Sequence, residues 1–281
     1  MFYFTGWLLK QFTSSPVLYI FVLNLLAVGI LVVGYTKLVY DELRNYSPLA
    51  VYLFLCTSSA FLLYGNVVQQ GLAISFVLLA MGYAYKRNMV VAYMLLLLAV
   101  FTHKSSILFL LFFPIVFSKH IKMSHLIAAF LASLVLMNVD LANIFLSFNW
   151  PFITEKLIIY RESEQSNLGL KIGLIMINVA LFLYVYNHKT SEVFNLILRF
   201  YLIYACIVFL MLDFPKLCSR LIIYMNVLLP ILYMNTLSVV RPKWLILLII
   251  LCMSFAYGVY VVSHPSIQSI IRGHQILDIF L

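Results

Sequence analysis

Charge is what this sequence has least of. Only 10% of its 281 residues are Asp, Glu, Lys or Arg, where a soluble domain of that length carries about 25%. There are too few polar side chains to cover a globule in water, so a soluble fold is excluded. The shortage is uneven: 9 acidic residues stand against 18 Lys and Arg, giving a formal net charge of +9. Cysteine is also sparse. Cys56, Cys206, Cys218 and Cys252 show no CxxC or Cys/His ligand spacing, which removes support for a zinc or redox site. They are expected to act as small apolar filler. Met1 to Ser15 lacks the basic start, long apolar core and small-residue exit of a cleavable signal peptide. Walker A and dinucleotide fingerprints are absent too, so no cofactor is expected. No fixed-period repeat and no soluble domain is visible.

What the chain has is apolar length. Hydrophobic residues make up 65% of it, which excludes disorder, since that requires low hydrophobicity. The apolar runs are continuous rather than alternating, which argues against a β-barrel. At roughly 20 residues per membrane helix, the chain has room for about ten spans. The expected fold is all-α: one polytopic integral membrane domain over residues 1–281 with about ten transmembrane helices. The spans are placed at 16–35, 49–64, 68–85, 89–102, 105–117, 124–146, 169–186, 194–211, 220–238 and 244–262.

One stretch controls the topology. Met89 to Phe117 is apolar except for Thr102-His103-Lys104-Ser105-Ser106. As one helix it would be about 43 Å long at 1.5 Å per residue, against a hydrocarbon core of about 30 Å. Two short helices with a turn at His103-Lys104 bring both residues to an interface. With that turn, Lys86-Arg87, Lys119-Lys122, His188-Lys189 and Arg241-Lys243 fall on one side, cytoplasmic by the positive-inside rule. The N-terminus, the turns at 65–67, 103–104 and 212–219, and a loop at about 147–168 then lie outside. The positive charge is thus read as topology first and as an anion site second, with no need for nucleic acid.

Four polar groups at the outer ends are candidates for chemistry, because charge within or beside a span is costly. His103 beside Lys104 suits phosphate binding or proton transfer; the alternative is an interfacial turn with polar caps. Asn66, Gln69 and Gln70, in Gly65-Asn66-Val67-Val68-Gln69-Gln70-Gly71, stand at a helix start, where backbone N–H groups favour an anion and the amides suit sugar hydroxyls; the alternative is ordinary capping. Arg220, in Asp213-Phe214-Pro215-Lys216-Leu217-Cys218-Ser219-Arg220, has the planar fork that suits a diphosphate, with Tyr224 one turn on; Asp213 pairing with Lys216 or Arg220 is the structural alternative. The loop from Asn149 to Asn167 contains Glu155, Tyr160, Arg161, Glu162 and Glu164 and is long enough to cover a substrate; solvated loop charge is the alternative.

These residues resemble a known family. Asn66-Val67-Val68-Gln69-Gln70-Gly71-Leu72-Ala73, an apolar helix, Lys86-Arg87, another helix and Phe101-Thr102-His103-Lys104-Ser105-Ser106 look like the EpsG-like group of Wzy-type polysaccharide polymerases. Ser219-Arg220-Leu221 with Tyr224 resembles the family's Arg-Leu…Tyr segment, and Glu155 to Tyr160 its outer-loop Tyr region. The family's Arg before Gln-Gly-Leu-Ala is Gln69 here, and the chain is expected to lack one leading helix. The resemblance implies a fold like that of lipid-dependent membrane glycosyltransferases in the bacterial inner membrane. It implies polymerisation of undecaprenyl-diphosphate-linked oligosaccharide repeat units at the outer face, for O-antigen, capsule or exopolysaccharide, with a chain-length regulator as a further partner. Arg220 and Lys104 would hold the diphosphate and His103 would activate the acceptor. Asn66, Gln69, Gln70, Tyr160, Arg161 and Tyr224 would bind substrate. The rival reading is a flippase for lipid-linked oligosaccharide, which needs a polar path through the bilayer.

Overall fold

The computed structural model describes residues 15–43, 54, 68–118, 120–140, 143–144, 147–148, 153–162, 168–188, 191–239 and isolated positions between 244 and 259. Among them every regular element is helical. In chain order these are α1 (Pro16–Leu43), α2 (Val68–Tyr85), α3 (Met89–Thr102), a 3-10 turn (Lys104–Ser106), α4 (Ile107–Phe117), α5 (Met123–Leu136), α6 (Ile153–Glu162), α7 (Leu168–Tyr186), α8 (Glu192–Leu210) and α9 (Pro215–Val239). Five of them, α1, α2, α7, α8 and α9, are long and apolar enough to cross a membrane, and α3, α4 and α5 are shorter apolar helices. Apart from Phe54 and isolated positions between 244 and 259, the expected spans 49–64 and 244–262 lie outside the described residues. The chain is an integral membrane protein.

Several boundaries differ from the expected ones. The helix placed at 124–146 stops at Leu136. Asp140 instead accepts from the backbone N–H of Asn143 at 3.0 Å, a side-chain bond that competes with helix continuation. Conversely, α1 runs past 35 to Leu43 because Lys37 finds a partner inside the fold: its Nζ lies 3.9 Å from the Tyr83 ring centroid. The helix expected from 220 begins at Pro215, whose fixed φ suits a first helical position. The segment read as an outer loop carries α6.

The chain divides into two compact units, Met1–Leu111 with Val240–Leu281, and Phe112–Val239. In the first, α2 is the central helix. Every residue from Gln70 to Leu78 is buried, as expected of a helix apolar on all sides. α1 lies against it with Leu23, Ala27, Leu31, Tyr35 and Leu38 buried, while Phe21, Leu25 and Val33 are exposed. The approach is close because Gly34 has no side chain: a Cβ there would sit 2.9 Å from the Leu79 backbone N. A Cβ on Gly82 would sit 3.1 Å from Lys37 Cβ. Gly34 therefore meets Leu78 and Leu79, and Lys37 meets Gly82 and Tyr83, so both helices advance in the same direction. Small residues permit this contact between backbones, which matters where lipid offers no hydrophobic drive to associate.

α3 returns antiparallel to α2 after the three residues Lys86–Asn88, burying Ala92, Leu96 and Ala99 at intervals of four and three. The turn closes α2 with two bonds: Arg87 N donates to Ala84 O at 2.9 Å, and Asn88 N to Tyr83 O at 2.9 Å. This is the Schellman pattern, with Arg87 at φ 61° in the glycine-favoured position. Asn88 then caps α3, its Oδ1 accepting from Val91 N at 3.3 Å.

In the second unit α8 is central, with a nearly continuous buried surface from Val193 to Ala205. Phe130 of α5 packs edge-on against Phe209 at 5.6 Å between ring centroids. Phe182 of α7 meets Phe194, Tyr201 and Tyr233. Two polar clamps fix α9: Tyr233 donates its hydroxyl to Asn178 Oδ1 of α7 at 2.7 Å, and Ser191, the N-cap of α8, donates to Asn235 Oδ1 at 2.7 Å. Such interhelical bonds contribute roughly 0.6–2 kcal/mol each in membranes.

The glycines give a controlled test. Gly34→Ala is expected to destabilise the protein in detergent by about 1–3 kcal/mol through overpacking. Gly29→Ala, where a Cβ meets nothing within 4 Å, is expected to be near neutral. Equal melting temperatures for the two variants would contradict the close approach.

Candidate functional site

The first unit gathers polar residues at one end of the α2–α3 hairpin. Counting back from the Lys86–Asn88 turn brings Thr102–Ser106 level with Val68–Leu72, since both helices rise at the same rate, and the 3-10 turn packs on α2. The expected break is present. α3 ends at Thr102, and His103 is extended at φ −147°, ψ 120°, which excludes a single 43 Å helix of the kind that 1.5 Å per residue would give over about 29 residues. His103 caps both sides of the break: its N–H donates to Ala99 O at 2.8 Å and its carbonyl accepts from Ser106 N at 3.0 Å.

The His103 ring is half-buried, and Nδ1 lies 2.6 Å from Ser105 Oγ. That bond sets the chemistry of the ring. If Nδ1 donates, Nε2 is the basic nitrogen; if Ser105 donates, Nε2 carries the proton. Lys104 is exposed beside it, Gln69 is half-buried, and Gln70 is 1% exposed. Asn66 lies outside the described residues. Thus Gln69, Gln70, His103 and Lys104 share one end of one hairpin, with Gln70 inside the packing rather than on its surface.

The second unit builds a cationic cluster at the start of α9. Lys216 lies three residues before Ser219 and four before Arg220, so it shares a helical face with each of them. α6 and α7 both pack on α9. From α6, Tyr160 accepts a hydrogen bond from Arg220 Nη1 at 3.0 Å. Its ring centroid is 5.5 Å from the Arg220 guanidinium carbon and 6.0 Å from Lys216 Nζ. From α7, Lys171 Nζ donates to Ser219 Oγ at 3.3 Å. The first turn of α9 carries no acidic residue. Lys216, in the first turn of α9, opposes the macrodipole, and Asp213 just before the helix supplies charge of the opposite sign.

Neighbouring residues of α6 serve different ends. Tyr160 faces α9, but Arg161 bonds to Asn143 Oδ1 at 2.8 Å and to Asp140 Oδ2 at 3.4 Å. Arg161 therefore ties α6 to the segment after α5. Tyr224 is 1% exposed, its ring 6.3 Å from that of Tyr204, and so belongs to the α8–α9 packing. Cys218 is not mere filler: its thiol donates to Met211 O at 2.8 Å, covering the end of α8. Lys171, Lys216 and Ser219 were not singled out as binding residues in the sequence. Lys171 left a signal as a lysine near the start of an otherwise apolar run, and Lys216 and Ser219 as members of the Asp213–Arg220 segment.

The model of the EpsG family matches residues 1–271. No curated protein and no solved structure matches the chain.

A double-mutant cycle tests the geometry of the cluster. Tyr160→Phe keeps the ring and removes the acceptor, and is expected to cost about 0.5–1.5 kcal/mol. Paired with Arg220→Lys it should show a coupling of at least about 0.5 kcal/mol. Arg161→Ala should cost no more than about 1 kcal/mol, because the two side chains of its ion pair are 40% and 48% exposed.

Proposed function

The chain belongs to the EpsG family of exopolysaccharide-related membrane proteins, and from that premise we propose that it polymerises oligosaccharide repeat units carried on an isoprenoid diphosphate, at the outer face of a bacterial inner membrane. The observation that supports this most directly is the cationic cluster at the start of α9, with Arg220 bonded to Tyr160 and Lys171 bonded to Ser219. A lipid-linked diphosphate is an anion that enters from the bilayer, and a cluster at the end of a span suits it.

The reaction assigns a role to each charged group. The acceptor hydroxyl oxygen bonds to the anomeric carbon of the growing glycan and gives up its proton, which His103 accepts in this reading. The bond from that carbon to the carrier breaks, and the electron pair leaves with the diphosphate. Arg220 stabilises the charge that develops on that leaving group, the kind of contribution that strengthens in the transition state. Lys104 adds exposed positive charge beside His103. Gln69 offers amide groups to sugar hydroxyls.

Purified protein supplied with a defined lipid-linked repeat unit tests the assignment. Single substitutions His103→Ala and Arg220→Ala are each expected to reduce polymer formation by about 100-fold or more, with membrane abundance unchanged. Polymer of normal length in both variants would overturn the site assignment. In cells, loss of a polymerase leaves a lipid core bearing one repeat unit, whereas loss of a flippase leaves none, so a lipopolysaccharide gel separates the two readings.

A further inference from the structure

We infer that Lys171, held in place by Ser219, is a second anion-contacting cation beside Arg220, and that the two together select a diphosphate over a single phosphate group. The inference rests on the reading of α9 as the carrier site and extends it to a residue on another helix.

Lys171 sits near the start of α7, within a helix otherwise apolar enough to span a membrane. It is half-buried. Among the described residues its polar partner is the hydroxyl of Ser219, at 3.3 Å. A hydroxyl supplies an acceptor but no compensating charge, so the desolvation of the ammonium is only partly offset. An anionic ligand supplies what is missing.

Ser219 and Arg220 are consecutive in α9 and point about 100° apart around its axis, so Ser219 meets Lys171 of α7 while Arg220 meets Tyr160 of α6. Lys216 lies on the same helical face, near the same Tyr160 ring that Arg220 meets. Three cations from two helices thus stand around the first two turns of α9, with one half-buried carboxylate, Asp213, nearby in the chain. A single phosphate group satisfies one such cation or one guanidinium fork. A diphosphate presents oxygens on two phosphorus atoms and can engage Arg220 and Lys171 together. Ser219 acts as the positioning residue: it fixes the ammonium against the helix that carries the guanidinium.

The test uses the full chain in nanodiscs of zwitterionic lipid, with farnesyl diphosphate, farnesyl monophosphate and inorganic pyrophosphate as probes. Wild-type protein should bind the diphosphate at least about tenfold more tightly than the monophosphate, as one additional charged hydrogen bond implies. Lys171→Met should weaken farnesyl diphosphate binding by roughly tenfold or more and leave monophosphate binding almost unchanged. Lys171→Arg should retain most of the preference. Ser219→Ala should lose part of it and Ser219→Thr restore it, which a merely structural hydroxyl would not produce. In turnover, Lys171→Met should raise KM with little change in kcat. Farnesyl diphosphate binding unaltered in a Lys171→Met protein of native melting temperature would overturn the inference. So would equal competition by phosphatidylglycerol, which would make the cluster a headgroup site. Polymer formation at unchanged KM in Lys171→Met refutes this inference and leaves the proposed function standing. Diphosphate binding that depends on Lys171 in a protein that forms no polymer refutes the proposed function and leaves this inference standing.

Discussion

In hydrocarbon a backbone carbonyl or N–H without a partner costs several kcal/mol, and this protein breaks its helices several times within short stretches of chain. Each described break is closed by its own device. The turn after α2 recovers two carbonyls through Arg87 and Asn88. His103 closes the end of α3 with its N–H and accepts the first bond of the next turn with its carbonyl. Arg199 reaches from α8 to donate to Val116 O and Ser118 O at the end of α4, at 3.1 and 3.3 Å, placing positive charge at a C-terminus as the macrodipole favours. The Cys218 thiol does the same for α8 without charge. Short helices and sharp turns are possible here because backbone bonds at Arg87, Asn88 and His103 and the side chains of Arg199 and Cys218 complete them.

The same economy explains where polar residues are found. In both units the central helix, α2 or α8, is buried on nearly every side, and the flanking helices turn Leu, Phe, Val and Met outwards. Functional groups have room only where a helix starts or stops. His103 stands at a break that the backbone already requires, and its ring is oriented by Ser105 two residues on. The α9 cluster stands where three helix ends meet, so its cations come from different parts of the sequence. Local geometry therefore orients the His103 ring in the first unit, and tertiary assembly gathers the cations of α9 and α7 in the second.

That contrast also decides what could be read from the sequence. The hairpin of α2 and α3 was legible to the residue, because continuous apolar runs end there at Lys86-Arg87 and at Thr102-His103. The break at His103 was legible from length and charge together. The pairing of Lys171 with Ser219 was not, since 48 residues separate them and no local pattern joins them. Arg161 and Tyr160 looked equivalent in sequence, yet adjacent positions on a helix point about 100° apart, and one bonds to Asp140 while the other faces Arg220. Helix ends were misplaced where a side chain found a partner that no run of apolar residues announces: Lys37 meets the Tyr83 ring within the continued α1, and Asp140, beyond the end of α5, accepts from Asn143.

The parallel course of α1 and α2 has a consequence for assembly. Antiparallel neighbours joined by a three-residue turn, such as α2 and α3, can enter the bilayer together as one hairpin with their contacts already formed. Two helices that point the same way cannot. α1 enters first and remains lipid-solvated along the face that holds Ala27, Leu31 and Gly34 until α2 has crossed in the same sense. The Gly34 contact is therefore a docking event between helices already in the membrane. A defect there leaves insertion and orientation intact and instead prolongs the life of an undocked α1, the form that membrane quality control would meet.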